Sequence, residues 1–105
     1  MTIALFGNNY PEYFSKYIQH LIKRLENEHV KIIMEQNLFN FINDKVRFQK
    51  KPDIFTNHQE LIKLEPDFLF SIGGDGTLLN AVTYIRDSDI PILGINTGRL
   101  GFISS

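Results

Sequence analysis

The sequence predicts an α/β domain, a mainly parallel sheet of about four strands with helices packed on both faces. Two observations predict it. Short apolar runs alternate with helical stripes along the whole chain, and polar, glycine-bearing turns follow three of the four apolar runs. Such alternation makes the strands parallel, because a right-handed crossover through a helix returns the chain to the same edge of the sheet.

Residues 2–7 (TIALFG) form an apolar run ending in glycine, which reads as a buried strand. Asn8, Asn9, Tyr10 and Pro11 then break the pattern, with Pro11 suited to a first helical turn. Phe14, Tyr17, Ile18, Leu21, Ile22 and Leu25 recur at spacings of three and four, one apolar helical stripe, while Lys16, Gln19, Lys23, Arg24 and Glu26 face water.

Residues 30–36 (VKIIMEQ) are β-branched and partly alternating, a second strand. Leu38, Phe39, Phe41, Ile42 and Val46 predict a short helix against the poor helix formers Asn37, Asn40 and Asn43. Residues 47–57 (RFQKKPDIFTN) are polar, basic and broken by Pro52, and are expected to form a mobile loop. Residues 58–65 predict a short helix capped by Asn57 and closed by Pro66.

Residues 67–72 (DFLFSI) give a third strand running into a glycine cluster, and Leu78, Leu79, Ala81, Val82 and Ile85 a helix after it. Residues 90–96 (IPILGIN) are the fourth strand. The expected architecture is Rossmann-like, in three layers. In such sheets ligands bind beyond the carboxyl ends of the strands. The turns at Gly7–Asn8–Asn9, at Gly73 to Thr77 and at Asn96 to Gly101 all belong to that edge.

Composition sets the remaining bounds. The 105 residues suffice for one small domain, and 43% hydrophobic with 22% charged residues fits an ordinary folded protein. A formal net charge of −1 provides no basic field for nucleic acid or an anionic membrane surface. Without cysteine, disulfides, zinc–cysteine sites and thiol nucleophiles are excluded. No apolar run approaches the roughly 18 residues of a membrane span. The start of the chain has no basic leader, so a cytoplasmic protein is expected. The chain stops directly after a strand and a glycine-bearing loop, as though cut from something longer.

The chemistry concentrates in SIGGDGT, residues 71–77. Glycine permits positive φ and leaves no Cβ to obstruct a ligand, and a glycine loop opening a helix aims free N–H groups at an anion. Asp75 complicates a plain phosphate cradle, since a carboxylate repels phosphate. It can accept the proton of an attacking hydroxyl, it can help to hold Mg²⁺, or it can cap the helix in an ordinary tight turn. The P-loop lysine, the G-x-G-x-x-G dinucleotide fingerprint and the G-x-S-x-G elbow are all absent.

Gly73–Gly74–Asp75–Gly76–Thr77 resembles the GGDGT motif of NAD kinases, diacylglycerol and sphingosine kinases and, with variation, phosphofructokinases. A second segment, residues 95–102 (INTGRLGF), resembles the N-x-G-x-L-G-F stretch of NAD kinases, so the chain looks like the N-terminal domain of that family. The resemblance implies transfer of a phosphoryl group from ATP or polyphosphate to the adenosine ribose 2′-hydroxyl of NAD, with Mg²⁺ accompanying ATP. It implies Asp75 as proton acceptor, and Gly73, Gly74, Gly76, Thr77, Asn80, Asn96 and Phe102 as nucleotide-binding residues. It also implies a C-terminal β-rich domain that this chain lacks, a dimer or tetramer of the full-length protein, and no turnover by the fragment alone. Where many members carry a basic or bulkier polar residue, this chain has Asn80. The alternatives are a lipid kinase of the diacylglycerol type and a nucleotide-binding module without catalysis.

Elsewhere the plainer readings stand. His20, His29 and His58 have no metal-ligand spacing, so no metal site of the protein's own is expected. Arg99 can meet phosphate or stay solvated. Arg47, Lys50 and Lys51 can gather triphosphate or simply solvate a loop.

Overall fold

A computed structural model describes residues 1–8 and 13–96, and for Asp75 and Asn96 the backbone alone. Five strands lie in one sheet: β1 (Thr2–Gly7), β2 (Lys31–Glu35), β3 (Asp53–Phe55), β4 (Phe68–Gly73) and β5 (Ile92–Asn96). Their order is β3-β2-β1-β4-β5 and every pairing is parallel. Between them run α1 (Phe14–Asn27), α2 (Gln36–Ile42), α3 (His58–Lys63) and α4 (Asp75–Ile85). Among the described residues no helix is long and apolar enough to cross a membrane.

Two-residue periodicity divides the core into two halves. On one face Ile3, Leu5, Ile32 and Met34 meet Phe14, Ile18, Ile22 and Leu25 of α1 with Leu38 and Ile42 of α2. On the other, Ala4, Phe6, Ile33, Phe55 and Leu69 meet Leu61 of α3 with Ala81 and Ile85 of α4. Burial on both faces is why the central strand β1 reads as an unbroken apolar run. The three-layer arrangement expected from the sequence is therefore present.

Among the described residues the sheet has five strands rather than about four. The additional strand, β3, arises inside the segment expected to be a loop, where Ile33, Met34 and Glu35 pair with Asp53, Ile54 and Phe55. Phe55 is fully buried, and that single anchor holds a strand too short to show an alternation. The preceding basic stretch is tied to α1 rather than loose. Arg47 N–H donates to Gln19 Oε1 at 2.7 Å, Gln19 Nε2 donates to the Arg47 carbonyl at 3.1 Å, and Gln49 N–H donates to Glu26 Oε2 at 2.8 Å.

Side-chain caps start two helices. Asn57 Oδ1 accepts from Glu60 N–H at 2.9 Å, as the sequence indicates. Glu35 caps α2, accepting from the N–H groups of Asn37 and Leu38 at 2.9 and 3.1 Å. The chain builds outward through β1, β2 and β3, then crosses back to β4 and β5. Strand order thus reverses between β1 and β4, and the carboxyl ends of that pair form the topological switch point where such sheets hold ligands.

Candidate functional site

SIGGDGT occupies the switch point. Gly7 at the end of β1 pairs with Ile72, and Gly73 at the end of β4 pairs with Asn96 at the end of β5. Asn8, the glycine loop and Asn96 are thereby gathered on one edge, as the strand-end turns predict.

The loop's glycines differ in what they do. Gly73 has φ +149°, and a Cβ there would lie 3.0 Å from Thr77 Cβ and closer still to Thr77 Oγ1. The fold itself requires glycine at that position. At Gly74 and Gly76 an added Cβ would meet no described atom within 4 Å. Nothing in the described chain demands glycine there. Their missing side chains instead keep a space clear in front of the helix.

Gly74 is the N-cap of α4, extended at φ −107° and ψ −161°, and its carbonyl accepts from Leu78 N–H at 3.2 Å. As a glycine it contributes no side-chain acceptor, so the first-turn N–H groups receive no cap from it. Asp75 is the first residue inside the helix, not its cap, and the capped-turn reading of Asp75 does not describe this backbone.

Thr77 is 1% exposed, and its hydroxyl donates to Asn8 Oδ1 at 2.5 Å. It braces the glycine loop against the end of β1, with its proton already committed. Asn80, one turn further along α4, is exposed and borders a cavity of about 260 Å³ at the ends of β1 and β2. Phe102 and residues 97–101 lie outside the described residues.

Sequence reasoning missed the other wall of that cavity. Glu35, 2% exposed at the end of β2, and Tyr84 of α4 both border it. Burial pushes the Tyr84 phenol up from its ordinary pKa, and the nearby charge of Glu35 adds to the rise. Glu35 ends a parallel strand, and that position alone could have drawn attention to it.

Fold and loop together define a doubly wound α/β domain with a glycine turn at its switch point. Residues 3–105 match the family described as ATP-NAD kinase N-terminal domain, and the chain belongs to that family. It is 37% identical over 105 residues to an NAD kinase of Christiangramia forsetii, covering 100% of this chain and 35% of that protein. Against an NAD kinase of Cytophaga hutchinsonii the figures are 38% over 106 residues, 100% and 36%. Yeast NADH kinase, solved in complex with NADH, shares the fold with a TM-score of 0.72 at 21% identity, over 99% of this chain and 33% of the yeast chain. The chain thus spans about a third of the length of the relatives it matches.

Proposed function

We propose that this domain carries the catalytic carboxylate of an NAD kinase. The observation that supports the reading best is the glycine loop at the switch point, where Gly74 and Gly76 leave open space in front of a helix whose cap brings no acceptor of its own. The N–H groups of that turn bind phosphate oxygens, and the absent Cβ atoms allow close approach. Asp75 accepts the proton of the adenosine ribose 2′-hydroxyl. The freed oxygen pair forms the new bond to the terminal phosphorus of the donor, ATP or polyphosphate, as the bond from that phosphorus to its bridging oxygen breaks. The products are NADP and the shortened donor. An ordinary aspartate, with pKa about 4, is a weak base towards a sugar hydroxyl. Its contribution therefore depends on position, and a residue opening a helix directly after a strand-end turn suits that role.

Mg²⁺ fits this site as a passenger of the nucleotide. Among the described residues no cluster of three or more His, Cys, Asp or Glu could hold a metal. Mg²⁺ is commonly held by one or two carboxylates plus substrate phosphates, and Asp75 provides the loop's single carboxylate. When bound, the ion offsets charge on the phosphates.

Asp75→Asn in the full-length gene product tests the assignment. NADP formation is expected to fall by on the order of 10²–10⁴-fold, with an unchanged thermal melt. A rate within a few-fold of the parent would remove Asp75 from the role of base.

A further inference from the structure

A second cleft, of about 380 Å³, lies at the amino edge of the sheet, away from the glycine loop. That volume is within the range of small-molecule sites. His29, Lys31, Lys50 and Lys51 border it together with two carboxylates, Glu26 and Asp53. Both carboxylates are already engaged. Asp53 pairs with Lys31 at 3.2 Å, and Glu26 Oε2 accepts from Gln49 N–H at 2.8 Å. Lys50 and Lys51 have no ion-pair partner among the described residues. The cleft therefore carries positive charge that the chain does not neutralise.

The backbone that presents these cations is fixed at both ends. Arg47 and Gln49 are hydrogen-bonded to Gln19 and Glu26 of α1, and Asp53 opens the pairing of β3 with β2. Lys50 and Lys51 sit between those anchors, so little backbone ordering remains to oppose binding.

His29 adds an independent observation. The chain leaves α1 through a Schellman turn, in which Val30 N–H donates to the Leu25 carbonyl and His29 N–H to the Glu26 carbonyl, both at 3.0 Å. Those carbonyls are thereby occupied and do not meet an anion bare. Glycine is the usual residue at the left-handed position of such a turn, yet this chain has His29 there, at φ +59°. A Cβ is penalised in that region, and strain of this kind marks positions where a side chain has work to do. The exposed imidazole borders the cleft, and it can donate an N–H in either charge state.

Two ammonium groups and an imidazole offer more donors than one carboxylate can use. A phosphate chain can use them all, through charge-assisted bonds that are stronger than neutral ones. We propose that the amino-edge cleft is a second anion site, taking the phosphate chain of a di- or triphosphate between His29, Lys50 and Lys51. It is separate from the glycine turn and does not depend on the kinase reading.

Titration calorimetry with inorganic tripolyphosphate on the full-length gene product, at low ionic strength, tests the site. The double variant Lys50→Ala with Lys51→Ala is expected to weaken binding at the cleft about tenfold, a loss of about 1.4 kcal/mol. NADP formation within twofold of the parent shows that the carboxyl edge is intact in that variant. His29→Gly is expected to keep or raise the melting temperature, because glycine suits the turn, while weakening tripolyphosphate several-fold. A trade of that kind is not expected of a histidine that only closes a turn. AMP-PNP, titrated in parallel, separates the sources. A parent affinity for the cleft equal to that of tripolyphosphate supports a site for the phosphate chain alone, and a tighter one supports a nucleotide. An isotherm unchanged by the double variant, or a stabilised His29→Gly protein that binds tripolyphosphate as the parent does, overturns the site and leaves the kinase assignment standing.

Discussion

At the carboxyl edge of the sheet stand a glycine turn, a braced threonine and a buried carboxylate. At the amino edge stand the cations. Lys31 pairs with Asp53 at 3.2 Å there, and His29, Lys50 and Lys51 border a cleft of about 380 Å³ with them. The sequence leaves the basic run Arg47, Lys50 and Lys51 either to gather triphosphate or to solvate a loop. The topology places it at the edge opposite the glycine loop, because the segment before a parallel strand lies at the edge opposite the segment after one. On the proposed reading, phosphate at the carboxyl edge is met by backbone N–H groups of the glycine turn rather than by the lysines of the 47–51 segment. What separates the two edges is which end of a strand a residue follows, not how much charge it carries.

Within the carboxyl edge, the glycines of one loop give the sharpest way to test this. Gly73→Ala forces a Cβ onto Thr77 in a backbone region that L-residues avoid, and is expected to cost about 3 kcal/mol from strain and overpacking. Urea unfolding measures it. Gly76→Ala places its methyl in open space within the first turn of α4. Unfolding free energy is then expected to stay level or rise by about 0.5–1 kcal/mol, while NADP formation by the full-length protein falls on the order of 10²-fold as the methyl displaces bound phosphate. Equal losses of stability at both positions would mean that the loop's glycines serve only the turn.

How much of this was legible beforehand follows the same division. The strand β1 announces itself because burial on both faces writes consecutive apolar residues into the chain, and β2, β4 and β5 do so as shorter apolar runs between turn residues. The three-residue β3 does not, since Asp53 is exposed and only Phe55 is fully buried. Missing β3 also hid the edge to which Lys50 and Lys51 belong. In the site, the glycine motif was visible in the sequence because its backbone geometry restricts residue type. Glu35 and Tyr84 were not, since one reads as the end of a strand and the other as a helix interior. Only the register of β2 and the packing of α4 bring them to one cavity.

A smaller effect is expected from the brace. Thr77→Val keeps the shape but removes the hydroxyl that donates to Asn8. At a position 1% exposed, losing one such hydrogen bond costs about 1–2 kcal/mol. Because the tie joins β1 to the glycine loop, turnover should fall as well. Stability lost without any change in rate would show that the loop holds its geometry unaided.

The amino edge gives the smallest expected effect and the one that separates the two edges most directly. Lys50→Ala and Lys51→Ala remove exposed charges that no carboxylate pairs with among the described ion pairs. Each is expected to alter unfolding free energy by no more than about 0.5 kcal/mol. KM for ATP should stay within about twofold, since at physiological salt a charge on the far edge is screened beyond roughly 8 Å. Lowering the ionic strength lengthens that reach, so any contribution of these lysines to steering the donor would appear as an on-rate that falls with added salt. If the double variant raised KM for ATP tenfold at physiological salt, the lysines would be contacting the donor directly. The phosphates would then have to reach the amino edge, and the division of labour between the two ends of the sheet would fail.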